Sequence, residues 1–160
     1  MADAPPRAFY DFPAYCYRDD PAVPVFPDEK ALIVFDGLCV LCNNFARFVA
    51  QHDKADAFRF THAQSALGGA LYRHYGLNDT AFETNLLIMN GRAYGRLDAF
   101  LRIMRKLGWP WSVACMLMFM PPSSRNRFYA YVARNRYQMF GKHESCPVPG
   151  DPAVAERIVG

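Results

Sequence analysis

Five consecutive apolar residues, Ala31-Leu32-Ile33-Val34-Phe35, stop at Asp36-Gly37. A run with no polar alternation and a turn signal behind it suits a strand buried on both faces. The turn leads directly into Leu38-Cys39-Val40-Leu41-Cys42. A buried strand, a sharp turn and a Cys-x-x-Cys pair are thus packed into twelve residues, and the rest of the chain has to be arranged around them. With 160 residues the chain is long enough for one domain with a sizeable core.

The elements that follow are read from period and punctuation. A helix is predicted from about Cys39 to His52, with Leu41, Cys42, Phe45, Phe48 and Val49 on one face. Ala57-Phe58-Arg59-Phe60-Thr61 alternates and reads as a second strand, and Gln64 to Tyr75 as a helix weakened by Gly68 and Gly69. Asn85 to Met89 is a third strand, Asn90-Gly91 a strong hairpin signal, and Arg92-Ala93-Tyr94 the returning strand. Three helices follow: about Leu97 to Leu107, Pro110 to Met120 and Ser124 to Met139. Pro110 fits a first helical position, Ser123 or Ser124 an N-cap, and Gly141 a helix end. The order is β-α-β-α-β-β-α with extra C-terminal helices. A βαβ unit makes the first two strands parallel, and the hairpin adds an antiparallel edge. This is the arrangement of a thioredoxin-like α/β domain.

Composition sets the boundaries. Residues 1–29 hold Pro5, Pro6, Pro13, Pro21, Pro24 and Pro27 among Phe9, Tyr10, Phe12, Tyr15, Tyr17 and Phe26. Prolines exclude a helix there, while the aromatics argue for an extended arm packed at least in part on the domain. The domain itself is placed at residues 30–146, and residues 147–160 read as a C-terminal tail. The net charge of +3 gives no argument for nucleic acid. Its distribution is uneven. Ala99 to His143 carries Arg102, Arg105, Lys106, Arg125, Arg127, Arg134, Arg136 and Lys142 and no acid, while Asp3, Asp11, Asp19, Asp20, Asp28 and Glu29 crowd the first thirty residues. This is read first as solvated faces, or as an acidic arm lying on a basic half of its own domain, and second as a basic surface for an acidic partner. No signal peptide is visible, and the longest apolar run, Trp109 to Met120, is too short to span a bilayer. The expected location is cytoplasmic, where thiols are kept reduced and a close cysteine pair is more often catalytic or metal-binding than structural.

A thiolate attacks a disulfide, so the protein must lower a thiol pKa and present the sulfur to solvent. A helix N-terminus supplies free amides and the positive end of the dipole. Cys39 falls there, and Cys42 lies about one turn deeper on the same side. Cys39 is therefore assigned as the attacking thiol and Cys42 as the resolving thiol that releases the partner from a mixed disulfide. Asp36 reads first as an Asx cap of the turn, and second as a carboxylate that takes the Cys42 proton. Gly37 reads as a position where a side chain would block a close approach, with substrate contact as its expected role.

Asp36, Cys39 and Cys42, the Asn90-Gly91 hairpin, the helix beginning near Arg96, Tyr131-Val132-Ala133-Arg134-Asn135-Arg136-Tyr137, Phe140-Gly141-Lys142 and Cys146 together resemble the DCC family of thiol-disulfide oxidoreductases, from about Ala31 to Cys146. The resemblance implies protein-disulfide reductase-type chemistry without a bound cofactor. It implies a disulfide-containing protein or low-molecular-weight thiol as partner, with electrons from another dithiol system or glutathione. Thioredoxins proper carry a cis-proline before the third strand. Here that position falls at about Glu83 or Thr84, which makes Thr84 the expected substrate-facing residue. Cys146 is weighed as an additional redox thiol against an idle tail cysteine.

Two other readings are kept. A zinc module would use Cys39, Cys42, His143 and Cys146, and an interaction protein would keep the fold without turnover. Cys16 is expected to pack in the arm and Cys115 in the core with Met116, Met118 and Met120. His52, His62 and His74 share no metal spacing; only His62, after the second strand, lies where it would approach the site. Arg134 and Arg136 with Tyr137 are read first as a corner binding the last helix to the sheet, and second as an anion site.

Overall fold

The computed structural model describes residues 11–80, 85–142 and 152–160. Strand β1 (Ala31–Phe35) is buried at all five positions. It lies inside a four-stranded sheet of order β2-β1-β3-β4, formed with β2 (Phe58–His62), β3 (Leu86–Met89) and β4 (Arg92–Gly95). β1 runs parallel to β2, with Ala31 opposite Phe58 and Phe35 opposite His62. It runs antiparallel to β3, with Val34 opposite Leu86. Helices α1 (Val40–His52) and α2 (Ala66–His74) follow β1 and β2. Helices α3 (Arg96–Leu107) and α4 (Pro122–Phe140) follow the hairpin, and a short α5 (Pro152–Ala155) ends the order. The mixed α/β sheet with its helices is compatible with the expected thioredoxin-like fold.

Alternation along β1 divides the core. Ala31, Ile33 and Phe35 face Cys42, Ala46 and Val49 of α1 and Ala99, Ile103 and Met104 of α3. Leu32 and Val34 face Leu67, Ala70 and Leu71 of α2 and Tyr17, Val23 and Phe26 of the arm. The aromatics of the arm therefore complete the second face, as the sequence predicts for an arm packed on the domain; its part before Asp11 lies outside the described residues. Tyr17 donates to Asp28 at 2.7 Å, and Arg18 grips the same carboxylate with two bonds of 2.8 Å. Among the described residues, no carboxylate of the arm forms an ion pair with the basic Ala99–His143 stretch. Asp28 pairs with Arg18 and Asp20 with His74 of α2. Cys16 Sγ sits 3.0 Å from Nε2 of the same His74, which pins the arm to α2.

The hairpin turn has φ 52° at Asn90 and 74° at Gly91, the positive pair that a tight turn between twisted strands requires. A Cβ at Gly91 would meet the Tyr15 ring at 2.5 Å, so the glycine also seats the arm. At the other edge the chain end covers β2: Phe60 donates to Arg157 O at 3.0 Å and accepts from Val159 N at 2.8 Å. Residues 152–160, read from composition as a tail, thus protect an edge strand, and Arg157 ties them to Asp53 at 3.1 Å.

Three expectations change. Trp111–Phe119 forms a 3-10 helix rather than the expected α-helix from Pro110 to Met120. The run is apolar all round and has no single face to bury. A three-residue period instead aligns Trp111 and Ala114 against the core. Trp111 stacks edge-on against Phe48 at 4.7 Å, while Phe119 is left 89% exposed. Met116 is exposed too, and Cys115 is half-buried rather than core, its thiol facing Leu101 O at 3.5 Å. Neither Ser123 nor Ser124 caps α4. Pro121 occupies the N-cap with Pro122 as first helical residue, whose missing N–H costs nothing there. Among the described residues no helix is long and apolar enough to cross a membrane.

The two glycines of α2 differ in their surroundings. A Cβ at Gly68 would lie 2.1 Å from the carbonyl oxygen of His62, whereas one at Gly69 meets the flexible Arg73 guanidinium at 3.3 Å and the Ala63 carbonyl oxygen at an ordinary 3.8 Å. Gly68→Ala therefore forces backbone apart and is expected to destabilise by about 1–3 kcal/mol, against the helix-propensity gain. Gly69→Ala is expected to be neutral or to stabilise by up to ~1 kcal/mol. Urea midpoints at unchanged m-value measure both; equal midpoints for the two variants would refute the close approach of α2 to β2.

Candidate active site

The end of β1 delivers Asp36 to a buried position at the edge of the core. Its Oδ1 accepts from Leu38 N at 3.0 Å, the Asx turn that reverses the chain, and from Gln64 Nε2 at 2.6 Å. Its Oδ2 accepts from Arg136 Nη2 at 3.3 Å and from the Tyr137 hydroxyl. Gly37 is held at both polar groups: its N–H donates to Gln64 Oε1 at 3.0 Å, and its carbonyl accepts from Asn43 Nδ2 at 2.7 Å. Asn43 also reaches Cys39 O at 2.9 Å. The turn is thus fixed by α1, by the β2–α2 connection and by α4.

Cys39 is the N-cap residue of α1, with extended backbone angles, and its Sγ accepts from Cys42 N at 3.4 Å. A sulfur takes the place that a hydroxyl or carboxylate usually fills at a cap. The Cys39 thiol is brought down to about 7, first by the hydrogen bond from the Cys42 thiol. Burial opposes this, and the Cys42 amide and the Arg136 charge assist it. The Cys42 thiol is pushed strongly up, by the same bond to Cys39 and by burial. The two sulfurs are therefore split into an acidic and a protonated member.

The expected presentation of Cys39 to solvent is not what the structure has. Cys39 is 0% and Cys42 8% exposed. The chain after α4 returns to this point, where Lys142 forms an isolated antiparallel bridge with Cys39. Gly141 ends α4 with φ 90°, and its ideal Cβ position lies 3.7 Å from Val40. The Lys142 ammonium sits 5.1 Å over the Tyr137 ring.

Arg136 and Tyr137 form the corner expected between the last helix and the sheet, on Asp36, while Arg134 of the same motif points elsewhere. Gln64 and Asn43 were invisible to motif reading, since an amide in a loop or a first helical turn carries no pattern of its own. His62 stands opposite Phe35 in the sheet, with rings 4.9 Å apart, and burial lowers its pKa, so it is neutral at pH 7. Thr84, His143 and Cys146 lie outside the described residues. Among the described residues no three His, Cys, Asp or Glu side chains are placed to hold a metal ion.

Residues 33–142 match the family model of DCC1-like thiol-disulfide oxidoreductases. The chain is 31% identical over 128 residues to the uncharacterized protein YuxK of Bacillus subtilis, covering 80% of this chain and 93% of that one. It is 37% identical over 120 residues to a chloroplastic DCC family protein of Arabidopsis thaliana, covering 74% of this chain and 70% of the relative. No solved structure matches it. The matched segment runs from the buried strand through the dithiol turn to the lysine bridged to Cys39, so the chain belongs to the DCC1-like thiol-disulfide oxidoreductase family.

Proposed function

We propose that the Cys39/Cys42 pair exchanges a dithiol for a disulfide with a partner, in a protein-disulfide reductase-type reaction that needs no bound cofactor. The observation that carries this reading is the split of the pair: Cys39 Sγ caps α1 and is acidified to about 7, while Cys42 beside it stays protonated. Cys39 attacks the partner disulfide, forms a mixed disulfide with one sulfur and expels the other. Cys42 then attacks Cys39, the partner's second sulfur leaves as a thiol, and the Cys39–Cys42 disulfide remains. Another dithiol system restores the pair. Attack requires the Lys142 bridge to part from Cys39, since the sulfur is covered in this conformation.

Asp36 acts as a positioning residue in this scheme. Four donors already occupy its carboxylate, which ties its oxygens to the turn, to the β2–α2 connection and to α4. Its charge raises both thiols and that of Arg136 lowers them. Gly37 contributes a turn that places Cys39, and Thr84 and Cys146 keep their assignments as a substrate-facing residue and an additional redox thiol. A Cys146→Ser variant tests the last by whether the oxidised pair is still re-reduced.

Cys42→Ser is expected to accumulate mixed disulfides on Cys39, identifiable by mass spectrometry. Cys39→Ser is expected to lose disulfide reduction by about 100-fold or more, as removal of a nucleophile does. Undiminished reduction by Cys39→Ser would sink the mechanism.

Thiolate absorbance against pH is expected to show a midpoint near 7 for the reduced protein. Asp36→Asn, which keeps a capping side chain, moves that midpoint down because a charge that raises the thiol is gone. A midpoint that stays put or rises would refute the positioning role. Stability follows the same sign. The Cys39 pKa is lower in the folded chain than the ~8.5 of an unfolded cysteine. Between about 7 and 8.5 the unfolded state therefore holds more protons, and stability of the reduced protein rises with pH by up to about 2 kcal/mol. That increment is lost as pH falls through 7. Denaturant titrations at three pH values check it, and Cys39→Ser should flatten the rise.

A further inference from the structure

A cavity of about 600 Å³ lies between the start of α3 and α4. Arg96 lines it from α3, and Arg127 and Arg134 from α4, with Asn126, Tyr129 and Tyr131 between them. Arg127, Tyr131 and Arg134 fall at i, i+4 and i+7, one stripe of the helix. No acidic side chain among the described residues pairs with any of the three arginines. Three guanidiniums lining one cavity with no described carboxylate beside them form a site for an anion, and their planar forks can hold a carboxylate by two bonds at once. Arg96 adds a second sign of construction: its φ of 58° is a left-handed conformation that a non-glycine residue seldom holds, and such residues gather at ligand clamps.

The sheet register places Arg96, one wall of this cavity, at the end of the sheet that carries the dithiol turn. Val34 pairs with Leu86, and Leu86 with Gly95, so the end of β1, the start of β3 and the end of β4 share one end of the sheet. Asp36 and the dithiol turn follow the first, and Arg96 follows the last. Tyr129 bonds the backbone at the same end, its hydroxyl accepting from Asn85 N at 3.4 Å. Two turns further along α4, Arg136 holds Asp36. Two strand spacings separate Arg96 from the dithiol turn, about 10 Å. A tripeptide spans about 10 Å, the same separation as that between the two turns. The cavity volume is that of a small-molecule site and not of a flat protein-docking face.

We propose that this cavity binds the carboxylates of a short peptide thiol, and so selects an anionic low-molecular-weight disulfide as a partner of the dithiol. The proposal deepens the dithiol reading and rests on it for its chemistry. The Cys39 thiolate attacks one sulfur of the bound disulfide; the S–S bond breaks, one half stays on Cys39, and the other leaves as a thiolate that takes a proton from water. Cys42 gives up its proton, attacks Cys39 and expels the second half. Two electrons pass from the protein dithiol to the small disulfide, giving two small thiols and the Cys39–Cys42 disulfide.

The binding test uses S-methylglutathione, which carries the carboxylates but no reactive sulfur, titrated into the full chain by calorimetry. Binding is expected to weaken as NaCl is raised, and at least tenfold in Arg127→Gln/Arg134→Gln, whose exposed positions spare the fold. No binding to the native chain, or equal affinity in the double variant, would overturn the assignment. This arm is blind to thiol chemistry, so its result stands whether or not the dithiol reading holds. The second arm measures single-turnover oxidation of the pre-reduced protein by glutathione disulfide and by neutral hydroxyethyl disulfide. The ratio of the two rates is expected to fall at least tenfold in the double variant; an unchanged ratio would overturn the proposal. Failure of the native chain with both disulfides would instead sink the dithiol reading and leave the cavity to the titration.

Discussion

The buried Asp36–Arg136 contact joins residues 100 positions apart in the chain, and most of what is particular to this structure depends on it. A carboxylate taken out of water is costly unless a charge and enough donors surround it. Here Arg136 supplies the charge, and Tyr137, Gln64 and Leu38 N supply the remaining donors. Each donor comes from a different part of the fold: α4, the connection from β2 to α2, and the turn itself. The carboxylate therefore acts as a common attachment point. Removal of Arg136 alone would leave an unpaired buried charge, which is far worse than never having had the pair. The pair is better understood as fixing one arrangement of the turn than as adding net stability.

The same two charges set the electrostatics of the sulfurs. Asp36 raises both thiols and Arg136 lowers both, so their long-range effects on each thiol oppose one another. What separates Cys39 from Cys42 is local. The Cys39 sulfur receives hydrogen bonds from the Cys42 thiol and amide, and Cys42 receives none comparable in return. Position at the N-cap produces this asymmetry, because only the cap residue faces the free amides of the first turn. The order Cys39 before Cys42 along the chain is thereby translated into a difference of acidity.

How much of this was legible in the sequence depended on how local the cause was. β1 announced itself because both its faces are buried, and the Asn90-Gly91 turn because its positive φ angles need those residues. The cap position of Cys39 followed from the turn preceding it. The 3-10 stretch at Trp111–Phe119 was misread because an all-apolar run carries no period by which to tell one helix from another. The burial of Cys39 was not legible at all, since the residue bridged to it, Lys142, lies beyond the last helix and nothing in Phe140-Gly141-Lys142 says where that chain returns. The partners of Asp36 fell between these cases. Arg136 and Tyr137 stood out as a corner, but the residue they hold is fixed only by the packing of α4 across the turn.

That placement of α4 bears on what counts as the domain. The β-α-β-α-β-β-α core ends at Leu107, and on topology alone the later helices are additions. On chemistry they are not. α4 carries the guanidinium that neutralises Asp36, and the residues just past its end bridge Cys39. The first helps to fix the turn that makes Cys39 a cap; the second lies directly against that cap. The counter-charge beside the turn and the residue bridged to Cys39 thus both come from the C-terminal helical part, although both cysteines lie in the first third of the chain. A core cut after α3 would keep the Cys-x-x-Cys spacing and lose the charge beside it, leaving a buried carboxylate with no counter-ion next to two thiols whose ionisation it disfavours.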